Sequence, residues 1–345
     1  MQRHVFPEAI IRIQLETVEI GLEIGKRRIR CAAVDIDLAG AAQGGVVRTH
    51  IELVRDELVR NADTAMYVAK AAGRACFRFY NEDMNARAVE QLKMEEELRD
   101  AMQNHELELR YQPQIDISSG QVVSMEALVR WKHPGRGMVS PQEFIPVAEE
   151  TGLIVPIGEW VLETACRQAQ SWRRAGLLPV SVGVNLSSHQ FRRGGLVEMV
   201  GRILAETGWD ARWLEFELTE SVIMENAQET IRVLNQLKAM GITLSVDDFG
   251  TGYSNLSYLI DFSFGKLKID RSFLGESEEA SSWDIVKMIV ALASGMGVGV
   301  VAEGVETENQ RVFLSERGCH EIQGFLVSPA VPANSIEELI GKEGD

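Results

Sequence analysis

The sequence predicts an α/β protein whose C-terminal two-thirds form a (β/α)8 barrel, and three observations carry this prediction. After His105, apolar segments typical of strands alternate with amphipathic segments typical of helices over about 235 residues. Several strand segments are apolar on both faces, as in Ser181–Asn185 and Val298–Ala302, which suits a parallel sheet covered by helices. No glycine-rich phosphate loop follows any of these strands, which favours a closed barrel over an open nucleotide-binding sheet.

The N-terminal residues 1–84 are predicted to form a small α+β segment. Asn61 is a suitable cap for a helix that Gly73 would end. The predicted elements are, in chain order, a strand at Cys31–Ile36, helices at Ile51–Val59 and 61–73, and a strand at Phe77–Tyr80. A segment this short buries little core of its own and needs the barrel or a partner chain to stay folded.

Residues 85–104 are predicted to form one long polar helix. Its apolar positions are sparse (Val89, Leu92, Leu98 and Met102), and charged residues crowd its other faces. Two interpretations are open: a solvated linker between the N-terminal segment and the barrel, or a helix that pairs with its copy in a homodimer.

The barrel is predicted over residues 105–341. Its predicted strands are Leu107–Ile117, Gln121–Trp131, Val180–Leu186, Leu214–Leu218, Ile242–Val246, Leu267–Ile269, Val298–Ala302 and Glu321–Phe325. The predicted helices span Pro156–Ala175, Ala227–Met240 and Trp283–Met296, begin at Pro141 and Thr307, and in one case end at Thr207.

Composition and charge narrow the classes of function. With 45% hydrophobic and 25% charged residues, the 345-residue chain has the makeup of a soluble globular protein. The formal net charge of −16 argues against long nucleic acid as a partner, whereas a small phosphorylated ligand can be held through a metal ion. The four scattered cysteines predict reduced thiols in the cytoplasm. No segment is typical of a membrane span or a signal peptide.

Acidic or amide side chains follow the predicted barrel strands. They are Glu126, Asn185, Glu217, Glu220, Asp247, Asp248, Asp270 and Glu303. In a parallel barrel these strand ends meet at one mouth, where active sites lie, and such a crowd of carboxylates repels itself unless cations neutralise it. Oxygen ligands without nearby Cys or His favour Mg²⁺ or Mn²⁺ over zinc. The adjacent Asp247 and Asp248 are suited to bridging two cations, as in phosphodiester hydrolysis.

Each of these residues also has an ordinary structural interpretation. A single acidic residue at a strand end is usually a helix cap or a surface charge, and Lys268 alone would be a solvated charge. Near the acidic cluster, Lys268 could instead orient or deprotonate an attacking water, or balance charge. The number of such residues at successive strand ends favours a functional cluster.

Eight short motifs, taken together, resemble the EAL domain. They are Tyr111-Gln-Pro, Glu126-Ala-Leu, Asn185-Leu-Ser, Glu217-Leu-Thr-Glu220, Asp247-Asp-Phe-Gly-Thr-Gly252, Lys268-Ile-Asp270, Glu303-Gly-Val-Glu306 and Gln323-Gly-Phe325, in the family's order. The resemblance covers residues 105–332. It implies a modified TIM barrel that hydrolyses cyclic di-GMP to linear pGpG with Mg²⁺ or Mn²⁺, and we expect the larger Ca²⁺ ion to inhibit.

Carried over position by position, the resemblance also implies roles for individual residues. The metal ligands would be Glu126, Asn185, Glu217 and Asp247 for one cation, and Asp247 with Asp248 for the second, supported by Glu303. Lys268 would be the base or water-positioning residue, and Glu220 would anchor the Asp-Asp-Phe-Gly-Thr-Gly loop. Gln112, Leu128, Arg130, Asp270 and Gln323 would contact substrate or complete the site.

Two stretches depart from the family pattern. Asp261–Gly265 replaces a stretch where the family usually has a proline and an acidic residue, and Val327-Ser-Pro lacks the usual basic residue before proline. Both lie outside the metal cluster, so they bear on affinity for the guanine bases more than on the chemistry.

The N-terminal segment carries a second, weaker resemblance. Arg60–Arg74 resembles the last helix of a GGDEF (diguanylate cyclase) domain, a common neighbour of EAL domains. The cyclase signature is absent, because Gly44-Gly45 is followed by Val46 and Val47 instead of acidic residues. The resemblance implies a degenerate or truncated GGDEF remnant over residues 1–84, without cyclase activity.

Three functions are weighed for the barrel. The leading hypothesis is an active cyclic di-GMP phosphodiesterase, and the alternative is a receptor that binds the dinucleotide without cleaving it. Such receptors typically lose acids of the metal site, and here every acid in the pattern is present. A glycosidase needs only two carboxylates, and it leaves Asn185, the paired aspartates and Lys268 unexplained.

Overall fold

The computed structural model describes residues 22–24, 27–29, 82–177, 181–220, 222, 227–250, 264–275 and 282–341. The chain divides into two compact units, Met1–Ala88 and Val89–Asp345. The described part of the first unit includes an antiparallel pair of short strands, β1 (Leu22–Ile24) and β2 (Arg27–Ile29). The N-terminal elements predicted between residues 31 and 80, including the GGDEF-like helix, lie outside the described residues and stay predictions.

The long polar helix is present as α1, Glu82–Gln103. Its second half packs into the barrel unit, because Met94, Leu98 and Ala101 are buried. Val89 and Leu92 are exposed. The solvated-linker interpretation is therefore wrong for the second half of the helix, where burial of an apolar stripe holds it in place.

The second unit alternates strands and helices nearly as the sequence predicts. Its strands are β3 (Leu107–Asp116), β4 (Val122–His133), β5 (Gly137–Val139), β6 (Ser181–Asn185), β7 (Leu214–Thr219), β8 (Thr243–Phe249), β9 (Lys266–Ile269), β10 (Gly299–Ala302) and β11 (Glu321–Ile322). Its helices are α2 (Pro141–Thr151), α3 (Ile154–Arg174), α4 (Ser188–Arg193), α5 (Leu196–Thr207), α6 (Ala227–Ala239), α7 (Ser282–Met296), α8 (Glu308–Glu316) and α9 (Ala333–Gly341).

Eight of these described strands close into a barrel, as predicted. Strands β4, β6, β7, β8, β9, β10 and β11 pair in parallel in that order, and β3 closes the ring by pairing with both β4 and β11. Both pairings of β3 are antiparallel, which is where the barrel departs from the (β/α)8 pattern. The reason is local: Asp116 accepts hydrogen bonds from the backbone N–H groups of Ser118 and Ser119, and this tight turn leaves no room for a crossover helix.

Side chains on the barrel strands alternate between apolar residues that face the helices and polar residues that face the barrel axis. On β7, Phe216 and Leu218 are buried in the hydrophobic core, whereas Glu215 and Glu217 contact lysines of β9. The main apolar core thus lies between the barrel wall and the helices, and the barrel interior is polar. This arrangement leaves charged side chains free to form a site at one end of the barrel.

Helix ends next to the barrel mouth are capped by side chains. Ser187 starts α4 with a reciprocal capping box, in which it accepts from the α4 backbone and Gln190 accepts from the Ser187 N–H. Thr307 and Gln310 form the same motif at α8. Each cap satisfies backbone donors that the first turn of a helix otherwise leaves free.

Two predicted details are corrected by the structure. Glu126 does not follow the end of a strand: it lies within β4, which continues to His133, next to the last residue of β4 that pairs in parallel with β6. The last strand is shorter than predicted: β11 ends at Ile322, and Gly324 lies so close to the Val305 backbone that a Cβ would overlap with it.

Among the helices of the described residues, none combines the length and the apolar character needed to cross a membrane.

Candidate active site in the barrel mouth

Lys268 lies at the centre of a ring of carboxylates. It is completely buried on β9, and its Nζ is 2.5 Å from Glu217 Oε2, 3.6 Å from Asp247 Oδ1 and 3.7 Å from Glu126 Oε2. Glu303, which follows β10, forms a further ion pair with the same ammonium. The interpretation of Lys268 as a solvated surface charge is therefore wrong, and four predicted acidic residues meet around one buried cation.

The charges in this ring set each other's protonation. Burial alone would lower the pKa of Lys268, but the surrounding carboxylates raise it well above its ordinary value. Burial and the neighbouring Glu126 carboxylate raise the pKa of Glu217 well above its usual range. Burial likewise raises the pKa of Glu303 to about 8, against the opposing effect of Lys268. The ring thus holds its lysine as an ammonium.

Glu126 is held by two side-chain amides. Asn185 Nδ2 donates to Glu126 Oε1 at 2.8 Å, and Gln323 Nε2 donates to Glu126 Oε2 at 2.6 Å. Burial would raise the pKa of Glu126, but the Lys268 ammonium and these two donors outweigh that effect and lower it. Two other glutamines extend the network, since Gln114 donates to Gln323 Oε1 at 2.8 Å and Gln323 donates to Gln112 Oε1 at 3.1 Å. Gln114 was not predicted, although it lies on the same strand face as Gln112.

The carboxyl groups of Glu126 and Glu217 lie close enough for their charges to repel. Glu217 Oε1 is buried and, among the residues described, has no hydrogen-bond partner. Gly183 on β6 makes room for it, because a Cβ at that position would overlap with Glu217 Oε1. A buried carboxylate oxygen without a donor, next to a second carboxylate, fits a bound cation. The donor set of Glu126, Asn185, Glu217 and Asp247 is of the oxygen type that Mg²⁺ and Mn²⁺ prefer.

Asp248 and Asp270 form a second acidic pair beside Asp247. Asp248 has a positive φ of 54°, a strained conformation for a residue other than glycine, and its N–H donates to Asp247 Oδ1 at 2.9 Å. Burial, together with the neighbouring Asp247 and Asp270 carboxylates, raises the pKa of Asp248 to about 6. Three carboxylates therefore lie close together at this end of β8 and β9. Asp270 also caps the short helical turn Arg271–Phe273.

The two predicted substrate-contacting residues of β4 share a strand face with Glu126. Leu128 and Arg130 are two and four residues beyond it, and side chains two apart in a strand point the same way. Both are half-buried. Burial and the nearby Arg110 lower the pKa of Arg130, and the Glu126 and Glu108 carboxylates act in the opposite direction. Arg130 thus presents a positive charge close to the carboxylate ring.

The remaining predicted residue, Glu220, is buried directly after β7. Its predicted role in anchoring the loop after Asp248 stays a prediction, because residues 251–263 lie outside the described part of the chain.

Comparisons with known proteins find one matching family model and curated relatives that are similar over most of this chain. The family model described as "EAL domain" matches residues 95–330. The bifunctional diguanylate cyclase/cyclic di-GMP phosphodiesterase MucR of Pseudomonas aeruginosa is 45% identical over 283 residues, which are 82% of this chain and 41% of that protein. The cyclic di-GMP phosphodiesterase PdeR of Escherichia coli is 40% identical over 281 residues, 81% of this chain and 42% of that protein. The chain thus spans about two-fifths of the length of these curated relatives.

Similarity extends to solved structures. The structure titled "PaMucR Phosphodiesterase, c-di-GMP complex" is 44% identical, covers 71% of this chain and 99% of that chain, and aligns with a TM-score of 0.69. The matched region includes the carboxylate ring and all the motifs predicted to form it. The family match covers more than half of the chain, and the fold agrees with it. The chain therefore belongs to the EAL-domain family.

Proposed function

We propose that this chain is a phosphodiesterase that hydrolyses cyclic di-GMP to linear pGpG with a divalent cation bound at the carboxylate ring. The observation that carries the proposal is the meeting of four carboxylates, Asn185 and a buried lysine inside one end of the barrel. Relatives named as cyclic di-GMP phosphodiesterases, at 40–45% identity, support the same substrate.

Glu126, Asn185, Glu217 and Asp247 would hold one Mg²⁺ or Mn²⁺ ion, and Asp247 with Asp248 would hold a second. When bound, the metal supplies Lewis acidity toward a phosphate oxygen and lowers the pKa of coordinated water. The unpartnered Glu217 Oε1 supports this assignment.

Side chains of the protein itself would orient the attacking water, the phosphate and the Glu126 carboxylate. The Lys268 ammonium balances the ring and would donate a hydrogen bond that orients the attacking water. Arg130 is placed to pair with a phosphate oxygen, since a guanidinium matches phosphate geometry. Gln323 and Asn185 hold the Glu126 carboxylate in orientation from both oxygens, so its position is fixed before a cation arrives.

A direct experiment tests the proposal. The purified chain is incubated with cyclic di-GMP and Mg²⁺, and pGpG is measured by chromatography. Glu126→Ala should abolish hydrolysis, because it removes a carboxylate from the cation site while the apolar core is untouched. Glu229→Ala is the matched control, since Glu229 lies on the surface of α6 and pairs with Arg232. Turnover of Glu126→Ala within about tenfold of wild type would contradict the assignment of Glu126 as a cation ligand. Binding without pGpG would make the protein a receptor.

A further inference from the structure

A second charged cluster lies inside the barrel. Lys266 Nζ is 3.1 Å from Glu215 Oε2 and 2.8 Å from Glu321 Oε2. Glu215 is 1% exposed, and the side chains of Lys266 and Glu321 are 17% and 18% exposed, so all three are largely removed from water. We name these three residues the lower triad. None of them has a part in the proposed chemistry.

The lower triad forms a second layer of charged side chains inside the barrel, next to the layer that forms the candidate site. Glu215 precedes Glu217 by two residues on β7, and Lys266 precedes Lys268 by two residues on β9. Side chains two apart in a strand share a face, so Glu215 and Lys266 lie directly next to Glu217 and Lys268. Glu321, on β11, joins this layer through its ion pair with Lys266. The three strands alternate around the barrel, which is how barrel interiors are filled in layers.

The charge of the triad is not fully balanced. Two carboxylates share one ammonium, and Glu215 Oε1 is buried with no hydrogen-bond partner in the described part of the chain. Glu215 also lies close enough to Glu217 for their charges to repel. If the Lys266 ammonium were absent, the carboxylates of Glu215 and Glu321 would remain without a positive charge beside them. They would then attract the buried ammonium of Lys268. Breaking a buried ion pair is costly because a charge is left uncompensated.

We propose that Lys266 is a positioning residue, which keeps Glu217 and Lys268 in place for cation binding by neutralising Glu215 and Glu321 beneath them. The residue acts through its neighbours and touches neither substrate nor cation. Its ammonium keeps Lys268 paired with Glu217 and Glu303 instead of with the lower carboxylates. The inference rests on the proposed function, because it assumes that the carboxylate ring holds a divalent cation.

Variants of the full chain that disturb or restore the charge balance of the lower triad test the inference. Lys266→Met should weaken Mn²⁺ binding, measured by calorimetry without nucleotide, by about tenfold, and should lower kcat by a similar factor with little change in KM. Glu215→Gln should also weaken Mn²⁺ binding, because the Lys266 ammonium, left with Glu321 as its carboxylate partner, is then drawn toward Glu217. The double variant Lys266→Met/Glu215→Gln keeps the net charge of the triad and should recover Mn²⁺ affinity to within about threefold of wild type. Lys287→Met is the matched control, since Lys287 pairs with Asp284 on the surface of α7.

The outcomes separate the inference from the proposed function. If Lys266→Met lowers thermal stability but leaves Mn²⁺ affinity and kcat at the wild-type values, the positioning role is overturned. If Lys266→Met does not fold, the comparison of Glu215→Gln with the double variant decides, and equal Mn²⁺ affinity of the two would count against the inference. If the wild-type protein releases no pGpG but Lys266→Met still weakens Mn²⁺ binding, the phosphodiesterase is contradicted and the positioning role stands.

Discussion

A lysine buried among carboxylates is stable only where opposite charges offset its desolvation, and Lys268 meets that condition. It contacts Glu217 and Glu303 directly, with Asp247 and Glu126 in a wider shell. Charged groups so far from water exert strong mutual effects, because the surroundings screen them weakly. This one ammonium therefore holds the carboxylates of the ring together, and Glu126 is held in addition by Asn185 and Gln323.

Substitution of Lys268 should affect turnover more than substrate affinity. In Lys268→Ala, we expect kcat to fall by about 100-fold, because a donor directed at the attacking water acts most strongly in the transition state. Steady-state kinetics with cyclic di-GMP at saturating Mg²⁺ measure kcat and KM separately. Lys287→Ala, on the surface of α7, serves as the control. A change confined to KM would make Lys268 a substrate-binding residue instead.

Calcium should inhibit hydrolysis by competing with Mg²⁺ for the carboxylate ring. Its larger radius and looser coordination occupy the same oxygens without holding water and phosphate in tight geometry. Initial rates at fixed Mg²⁺ and increasing Ca²⁺ measure the competition, and added Mg²⁺ should relieve it. Equal turnover with calcium as the sole metal would contradict the proposed cation site.

At the scale of single elements, α1 is one helix with two environments. Its second half buries Leu98 in the core, and Glu97 reaches the β4–β5 hairpin through Arg136 Nη2 at 3.1 Å and His133 Nε2 at 3.6 Å. Since β4 also carries Glu126, this helix contacts the same hairpin that supports the site. A truncation near Gln103 would remove part of the barrel's core.

Leu98→Ala should destabilise the protein by about 2–5 kcal/mol, because it deletes a fully buried side chain and leaves a cavity. Leu92→Ala on the same helix is the control, and we expect a change within about 0.5 kcal/mol, because Leu92 is 58% exposed. Urea unfolding measures both free energies. Similar values for the two variants would show that α1 is not part of the folded unit.

At the scale of the whole molecule, the barrel separates an apolar outer core from a polar interior. The outer core also contains groups that ionise only at high pH. Burial raises the pKa of both Cys166 and Cys319 to about 12, and burial raises the pKa of Tyr111 above its ordinary value. These groups are neutral in the folded protein at neutral pH, which suits their apolar surroundings.

Stability should therefore decline in alkaline solution. A thiol ionises near 9.0 when unperturbed, so the unfolded chain releases its protons before the folded protein does. The contribution of these groups is present below pH about 9 and is lost progressively as pH rises toward about 12. Urea unfolding at a series of pH values measures the decline, which should be shallower in the Cys166→Ala/Cys319→Ala double variant. An unchanged slope in that variant would rule out the thiols as its cause.

The order of the elements, the barrel class and the gathering of carboxylates at the barrel mouth all follow from the amino-acid sequence alone. Strand and helix periodicity is a local property, and the motifs around Glu126, Asp247 and Lys268 can be read in a single pass along the chain. The prediction of a carboxylate cluster needed only the rule that parallel strand ends meet at one mouth. For this reason nearly every strand of the barrel was predicted within two or three residues of its observed bounds.

Which inward-facing side chains meet across the barrel cannot be predicted from local sequence patterns and depends on the folded structure. That Lys268 is buried rather than solvated, and that Lys266 pairs with Glu215 and Glu321, both depend on how the sheet closes. The partners in these contacts lie on strands about 50 residues apart, and their distances follow from register and closure. Local periodicity carries no information about either, because it describes one strand at a time.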